Sequence, residues 1–177
     1  MIEYEQKKTG TEAGIKTGTG IGTETEAGTE KESTESDNMV YESFSDKDTG
    51  KLGFKLGQQA LSGDIYCLSG DLGVGKTVFT AGFARGLDIK TAVCSPTFTI
   101  LQVYEEGRLP LYHFDVYRIA DPDEMEEIGF DEYAFGEGVC LIEWGERIGD
   151  ILPEGTKFIS IEKDLSKGFD YRRIEIN

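Results

Sequence analysis

Positive charge is scarce in this 177-residue sequence. Its 18 Lys and Arg stand against 34 Asp and Glu, giving a formal net charge of −16. A protein that grips nucleic acid or an anionic membrane over a broad face needs a basic surface, so the composition argues against both. Cysteine is also rare. Cys67, Cys94 and Cys140 lie far apart within apolar runs, are odd in number and lack metal-site spacing. That pattern predicts reduced core thiols in a cytoplasmic protein rather than a disulfide framework. No apolar stretch approaches membrane-spanning length, and the opening MIEYEQKKTG lacks a signal-peptide apolar region. A soluble cytoplasmic protein with no membrane partner is expected.

Apolar residues are thin in the first 38 positions, which hold eight Thr, six Gly and nine acidic residues but a single aromatic, Tyr4. Such a run cannot bury enough surface to offset the entropy of ordering it. Residues 1–38 are therefore expected to be a disordered tail, either a tolerated extension or an interaction segment. With four basic residues the tail carries −5, so residues 39–177 keep −11 and are acidic in their own right.

What the chain does contain is a phosphate-binding loop. Gly70, Gly75, Lys76 and Thr77 fill the fixed places of G-x-x-x-x-G-K-[ST] in Ser69–Val78. Glycines let successive backbone N–H groups turn toward phosphate oxygens, and the helix that follows directs the positive end of its dipole at them. Lys76 would neutralise the terminal phosphates and the Thr77 hydroxyl would ligate Mg²⁺. Asp71, Leu72, Gly73 and Val74 within the loop, and Val78 beyond it, are expected to contact the nucleotide. The context agrees: Ile65–Leu68 reads as a buried strand, and Val78, Phe79, Ala81, Phe83, Ala84 and Leu87 give a helical apolar face.

Other elements follow from pattern. Val40–Phe44 reads as a strand, and Ser45 or Asp46 can cap a helix carrying Leu52, Leu56 and Ala60 inward to an end near Gly63. Ala92–Cys94 suggests a short strand. The β-rich runs Thr97–Tyr104 and Leu109–Asp115, joined through Glu105-Glu106-Gly107-Arg108, predict a hairpin. Asp121–Glu124 opens a helix through Met125 and Ile128, Gly138–Glu143 is an apolar strand, and Phe158–Ile161 and Arg172–Ile176 read as a final strand pair. The predicted fold is α/β: a single P-loop NTPase domain, residues 39–177, with a mixed parallel and antiparallel sheet flanked by helices.

A nucleoside triphosphatase also needs an acid near the metal, at the end of a buried strand. Glu143 ends the most apolar strand and is favoured for that place; a turn cap before Trp144 is the plainer alternative. Asp115 is then free to position water or assist proton transfer, unless it only caps a turn. His113, the only histidine, shares a strand face with Leu111 and Asp115 and reads more readily as structural than catalytic. Thr97 and Thr99 either sense a γ-phosphate or serve only β-propensity. None of Arg85, Arg118, Arg147 and Arg172 stands out as an arginine finger, so intrinsic hydrolysis is expected to be slow.

The run SGDLGVGKT, then SPTFTI, then YHFDVYRIADPDEMEEIGFDEY, then LIEWGERI with a following LP turn resembles the bacterial TsaE family, small ATPases required to make threonylcarbamoyladenosine in tRNA. The resemblance implies ATP and Mg²⁺ as cofactors and weak ATPase activity. It implies work through the threonylcarbamoyl transferase and its inactive paralogue, with tRNA met only indirectly. It further implies that Lys76 and Thr77 bind phosphate and metal, that Glu143 belongs to the metal site, and that Asp115 is needed for turnover. Asp46, Thr49, Gly168 and Arg172 match positions near the nucleotide. Two rival functions remain at this level, a P-loop small-molecule kinase and a nucleotide-gated binding module. A GTPase is disfavoured, because the N-K-x-D and D-x-x-G patterns are absent.

Overall fold

Strands with apolar residues at every position belong in the middle of a sheet covered on both faces. In a computed structural model, which describes residues 38–177, that is where they lie. The elements run β1 (Met39–Ser43), α1 (Asp46–Gln59), β2 (Ile65–Ser69), α2 (Lys76–Gly86), β3 (Leu101–Tyr104) and β4 (Leu111–Asp115). They continue through α3 (Glu124–Glu127), α4 (Phe130–Ala134), β5 (Val139–Glu143), a 3-10 segment (Gly145–Ile151), β6 (Lys157–Lys163) and β7 (Arg172–Ile176). One seven-stranded sheet has the order β1-β7-β6-β2-β5-β4-β3. β6, β2, β5 and β4 are mutually parallel, while β1–β7, β7–β6 and β3–β4 are antiparallel. The mixed sheet and flanking helices are those expected. The predicted tail lies outside the described residues, except for Asn38.

Alternation along the central strands divides the core. Leu68, Leu111, Leu141 and Ile159 pack with Leu52 of α1 and Phe79 and Phe83 of α2. Phe114, Cys140 and Ile142 pack on the other face with Met125 of α3 and Phe130 of α4. β2 and β5 are covered from both sides, and their carboxyl ends emerge beside the start of α2. Among the described residues no helix is long and apolar enough to cross a membrane.

Of the two candidate caps, Ser45 starts α1: its Oγ accepts from the Asp48 N–H at 3.2 Å, with Asp46 and Asp48 in the first turn. The helix ends at Gln59, short of Gly63. It meets α2 through glycines. A Cβ placed on Gly53 or Gly57 would run into the backbone carbonyls of Phe79 and Phe83, and one on Gly82 or Gly86 into those of Gly50 and Phe54. The two helices therefore touch backbone to backbone.

Several local expectations are corrected. Ala92–Cys94 forms no strand; the preceding Lys90 and Thr91 N–H groups donate to the Glu106 carboxylate instead of to a ladder. Cys94 is exposed, so only Cys67 and Cys140 are core thiols. Thr97–Ile100 is a turn closed by the Pro96 carbonyl, and β3 begins at Leu101. The predicted hairpin exists from there, with Tyr104 opposite Leu111. The helix expected over Asp121–Ile128 shrinks to α3, and α4 follows it after Gly129, whose φ of 74° breaks the run.

Candidate active site

The chain leaves β2 and enters α2 through a loop that only glycine-rich sequence can form. Gly70, Gly73 and Gly75 have φ of 131°, 72° and 110°, in the region that disfavours a Cβ. A Cβ on Gly70 would also collide with the Ile161 carbonyl of β6. No side chain caps α2, so its first N–H groups are left without side-chain partners, an arrangement able to hold an anion.

Lys76 is only 5% exposed. Its ammonium donates to the carbonyls of Gly70 at 2.6 Å and Asp71 at 3.1 Å and sits 3.7 Å above the Trp144 ring. Burial lowers its pKa from the ordinary lysine value, opposed by the negative fields of Glu143, Glu146, Asp115 and Asp71. The lysine thus satisfies itself within the loop while remaining on the wall of the cavity.

Two carboxylates face it from neighbouring parallel strands. Asp115 ends β4 and Glu143 ends β5, and they are register partners. Both are almost fully buried. Glu143 Oε1 lies 3.0 Å from His113 Nε2 and 3.4 Å from Thr80 Oγ1. Asp115 Oδ2 accepts from Ser95 Oγ at 2.6 Å and Thr97 Oγ1 at 2.5 Å, and its Oδ1 accepts from the Tyr117 N–H at 3.1 Å. Asp115 is therefore the anchor for the turn before β3 as well as a wall of the site.

These groups enclose a cavity of about 570 Å³. Of the predicted residues, Asp46, Leu72, Gly73, Gly75, Lys76, Thr77, Val78, Asp115, Glu143 and Arg172 line it. Thr49, Asp71, Val74 and Gly168 lie behind or beside the lining. Thr49 is buried and hydrogen-bonded to Ser43 Oγ at 2.8 Å, Asp71 offers its carbonyl to Lys76, and Val74 is a core residue. Gly168 turns the β6–β7 loop with φ of 126°. Arg172 is spent on backbone: its Nε donates to the Val74 carbonyl at 2.6 Å and its Nη1 to those of Phe169 and Tyr171 at 2.8 Å. It braces the phosphate loop from β7.

Ser95, Tyr117, Phe169 and Asp170 also line the cavity and were not predicted. Ser95 and Tyr117 could have been suspected from their places in the SPTFTI and HFDVYR runs. Phe169 and Asp170 arrive on a loop whose course no local pattern gives. Trp144 has φ of 65°, a left-handed conformation that turns its ring back over Lys76 immediately after Glu143.

The donor set suits a hard cation. Thr77 and Glu143 offer only oxygen, and Mg²⁺ takes one or two carboxylates, waters and substrate phosphates rather than a full protein cage. Among the described residues no group of three or more His, Cys, Asp or Glu is placed to hold a metal ion by itself.

Comparison with known proteins fits this arrangement. A relative from Bacillus subtilis (strain 168), "tRNA threonylcarbamoyladenosine biosynthesis protein TsaE", is 52% identical over 115 residues, 65% of this chain and 70% of that protein. The protein of the same name from Treponema pallidum (strain Nichols) is 48% identical over 119 residues, covering 67% of this chain and 87% of that one. The crystal structure of YdiB from Bacillus subtilis superposes with a TM-score of 0.67 at 40% identity, covering 78% of this chain and 84% of the other. Residues 43–174 match the family described as "Threonylcarbamoyl adenosine biosynthesis protein TsaE". That span takes in the phosphate loop, both carboxylates and Arg172, and the chain belongs to the TsaE family.

Proposed function

We propose that this protein binds ATP with Mg²⁺, hydrolyses it slowly when alone, and serves threonylcarbamoyladenosine formation in tRNA through a protein complex. The observation that carries the reading is the convergence of Lys76, Thr77, Asp115 and Glu143 on one cavity, from one helix start and two register-matched strand ends. Bound ATP supplies a γ-phosphoryl group open to in-line attack, and catalysis of such a step is mostly positioning and charge neutralisation. Lys76 would exchange its loop carbonyls for phosphate oxygens. The Thr77 hydroxyl and the Glu143 carboxylate would hold the cation, and the α2 N–H groups would orient the phosphates. Asp115 would position the attacking water, coupled through Ser95 and Thr97 to the turn before β3.

Slow turnover has a physical reason. The one arginine lining the cavity, Arg172, already donates to three carbonyls. An arginine clamp on the transition state contributes about 10³–10⁵ in rate, and its absence leaves hydrolysis feeble. The partners in this reading are the threonylcarbamoyl transferase and its inactive paralogue. The acidic chain makes direct tRNA binding unfavourable, so RNA would be reached through them. The test is ATP hydrolysis measured alone, with each partner, and with both. Stimulation by the pair, lost in Lys76→Ala, is expected. Equal rates in all four mixtures would overturn the complex-dependent role, and activity unchanged in Lys76→Ala would overturn the site.

A further inference from the structure

Among the described residues, Nδ1 of His113 is the only buried side-chain nitrogen or oxygen without a hydrogen-bond partner. The ring is completely buried on the sheet face it shares with Leu111 and Asp115 of β4 and Glu143 of β5. Its other nitrogen, Nε2, lies 3.0 Å from Glu143 Oε1. A carboxylate oxygen only accepts, so a neutral imidazole against an ionised Glu143 carries its proton on Nε2 and donates there, which leaves Nδ1 as a buried acceptor with no partner. An unmet buried acceptor costs stability that an apolar side chain at this position would avoid.

The donor side explains what that cost secures. The other group near Glu143 Oε1 is Thr80 Oγ1 at 3.4 Å, and its single proton is also drawn to the Lys76 carbonyl at 3.0 Å. The imidazole is the closer and undivided donor. Both contacts fall on Oε1, and Oε2 has no protein partner among the described residues.

We propose that His113 is a positioning residue for the metal site: its Nε2–H fixes Glu143 by Oε1 so that Oε2 is presented to the cation in the cavity. The inference rests on the reading of Glu143 as the metal-side acid. Outer-sphere partners of this kind change metal affinity by about 10–100-fold when removed. His113 does not touch the nucleotide and acts only through Glu143.

The experiment is a titration of Mg²⁺ into the full-length protein holding a fluorescent, non-hydrolysable ATP analogue, with a parallel series in EDTA. His113→Leu should raise the Mg²⁺ concentration at half-effect by about tenfold. Analogue affinity in EDTA should stay at the wild-type level, and His113→Gln, which restores an N–H donor, should recover most of the loss. A wild-type Mg²⁺ requirement in His113→Leu overturns the proposal. So does a loss that His113→Gln fails to rescue, because packing alone would produce it.

Glu143→Gln separates the two layers. If that variant keeps the wild-type Mg²⁺ response, the reading of Glu143 fails and takes this inference with it. If it loses the response while His113→Leu keeps it, only the role of His113 falls. Because His113 is the sole histidine, a ¹⁵N imidazole spectrum of the unmutated protein decides the case even if His113→Leu does not fold. The Nε2–H tautomer, retained when Mg²⁺ and the analogue are added, is expected. The Nδ1–H tautomer would sink the proposal.

Discussion

Lys76 and Trp144 show at the scale of single residues how a glycine-rich loop can satisfy a buried ammonium. The ammonium is held by two loop carbonyls and a ring face, each within about 4 Å. In the proposed function, phosphate oxygens would compete for the same three protons, and binding would draw the lysine off the indole. Trp144 is the only tryptophan, so its emission should change on adding Mg²⁺–ATP and should not change in Lys76→Ala. In thermal shift, Mg²⁺–ATP should raise the melting temperature of the wild type and should leave that of Lys76→Ala unchanged. A second expectation concerns Asp115. Asp115→Ala should bind ATP as before but hydrolyse it about 100-fold more slowly in the presence of the partners, the usual scale for loss of a proton-handling group. A matching loss of ATP affinity in direct titration would make Asp115 a ligand instead.

At this scale the sequence was legible where one residue type has one use. Gly70, Gly75, Lys76 and Thr77 could be placed in the turn from β2 into α2, where the two glycines have positive φ and the helix starts at Lys76. Alternation put His113 and Asp115 on one face, but the approach of His113 to Glu143 depends on how β4 is registered against β5, which no local pattern encodes. Arg172 shows the same limit. Its number fitted a position near nucleotide, while its hydrogen bonds to the Val74, Phe169 and Tyr171 carbonyls follow from where a distant strand and loop end.

Between elements, the least visible feature was the contact of α1 with α2. Leu52 and Ala60 were read correctly as inward, yet the closest approach is made by residues without side chains. Each glycine inside a helix costs about 1 kcal/mol relative to Ala, and α1 carries Gly50, Gly53 and Gly57 within its 14 residues. The absence of a side chain leaves no hydrophobic period to detect, so propensity misjudges a surface that tertiary contact requires. Gly57→Ala should destabilise by about 1–3 kcal/mol in urea melts, since the new Cβ meets the Phe83 carbonyl and the backbones must part. Gly149→Ala is the control. Nothing lies within 4 Å of its Cβ, and a change within about 0.5 kcal/mol is expected. Ala92–Cys94 belongs here too: β-propensity makes a strand only where a neighbouring edge is available, and this segment pairs with none.

For the whole molecule, titratable groups away from the site make stability depend on pH, and the acid and alkaline limbs have different origins. Burial alone would raise the pKa of Asp64, but the Leu61 N–H, Lys157 and Tyr66 outweigh it and the net shift is downward. Glu42 is lowered by hydrogen bonds from Lys167 and Tyr171. A carboxylate depressed in the folded state adds stability above its unfolded pKa, about 4, and that stability disappears as pH falls through the folded value. The alkaline limb runs the other way. Burial, with the Glu146 charge behind it, pushes the Cys67 thiol up to about 12, and burial alone pushes Cys140 to about 12. Thiols of the unfolded chain ionise near 8.5, so above that pH the unfolded state releases protons that the folded state keeps. Stability present below about pH 8.5 is therefore lost progressively toward pH 12. Urea melts in reducing buffer at pH 7 and pH 10 should show the wild type weakening. Cys140→Ala, weaker at pH 7 for want of packing, should lose less over the same interval because one of the two buried thiols no longer titrates. An identical loss in variant and wild type would remove Cys140 from the alkaline limb and leave it to Cys67 and to Tyr66, whose hydroxyl is also raised by burial and by Asp64 beside it.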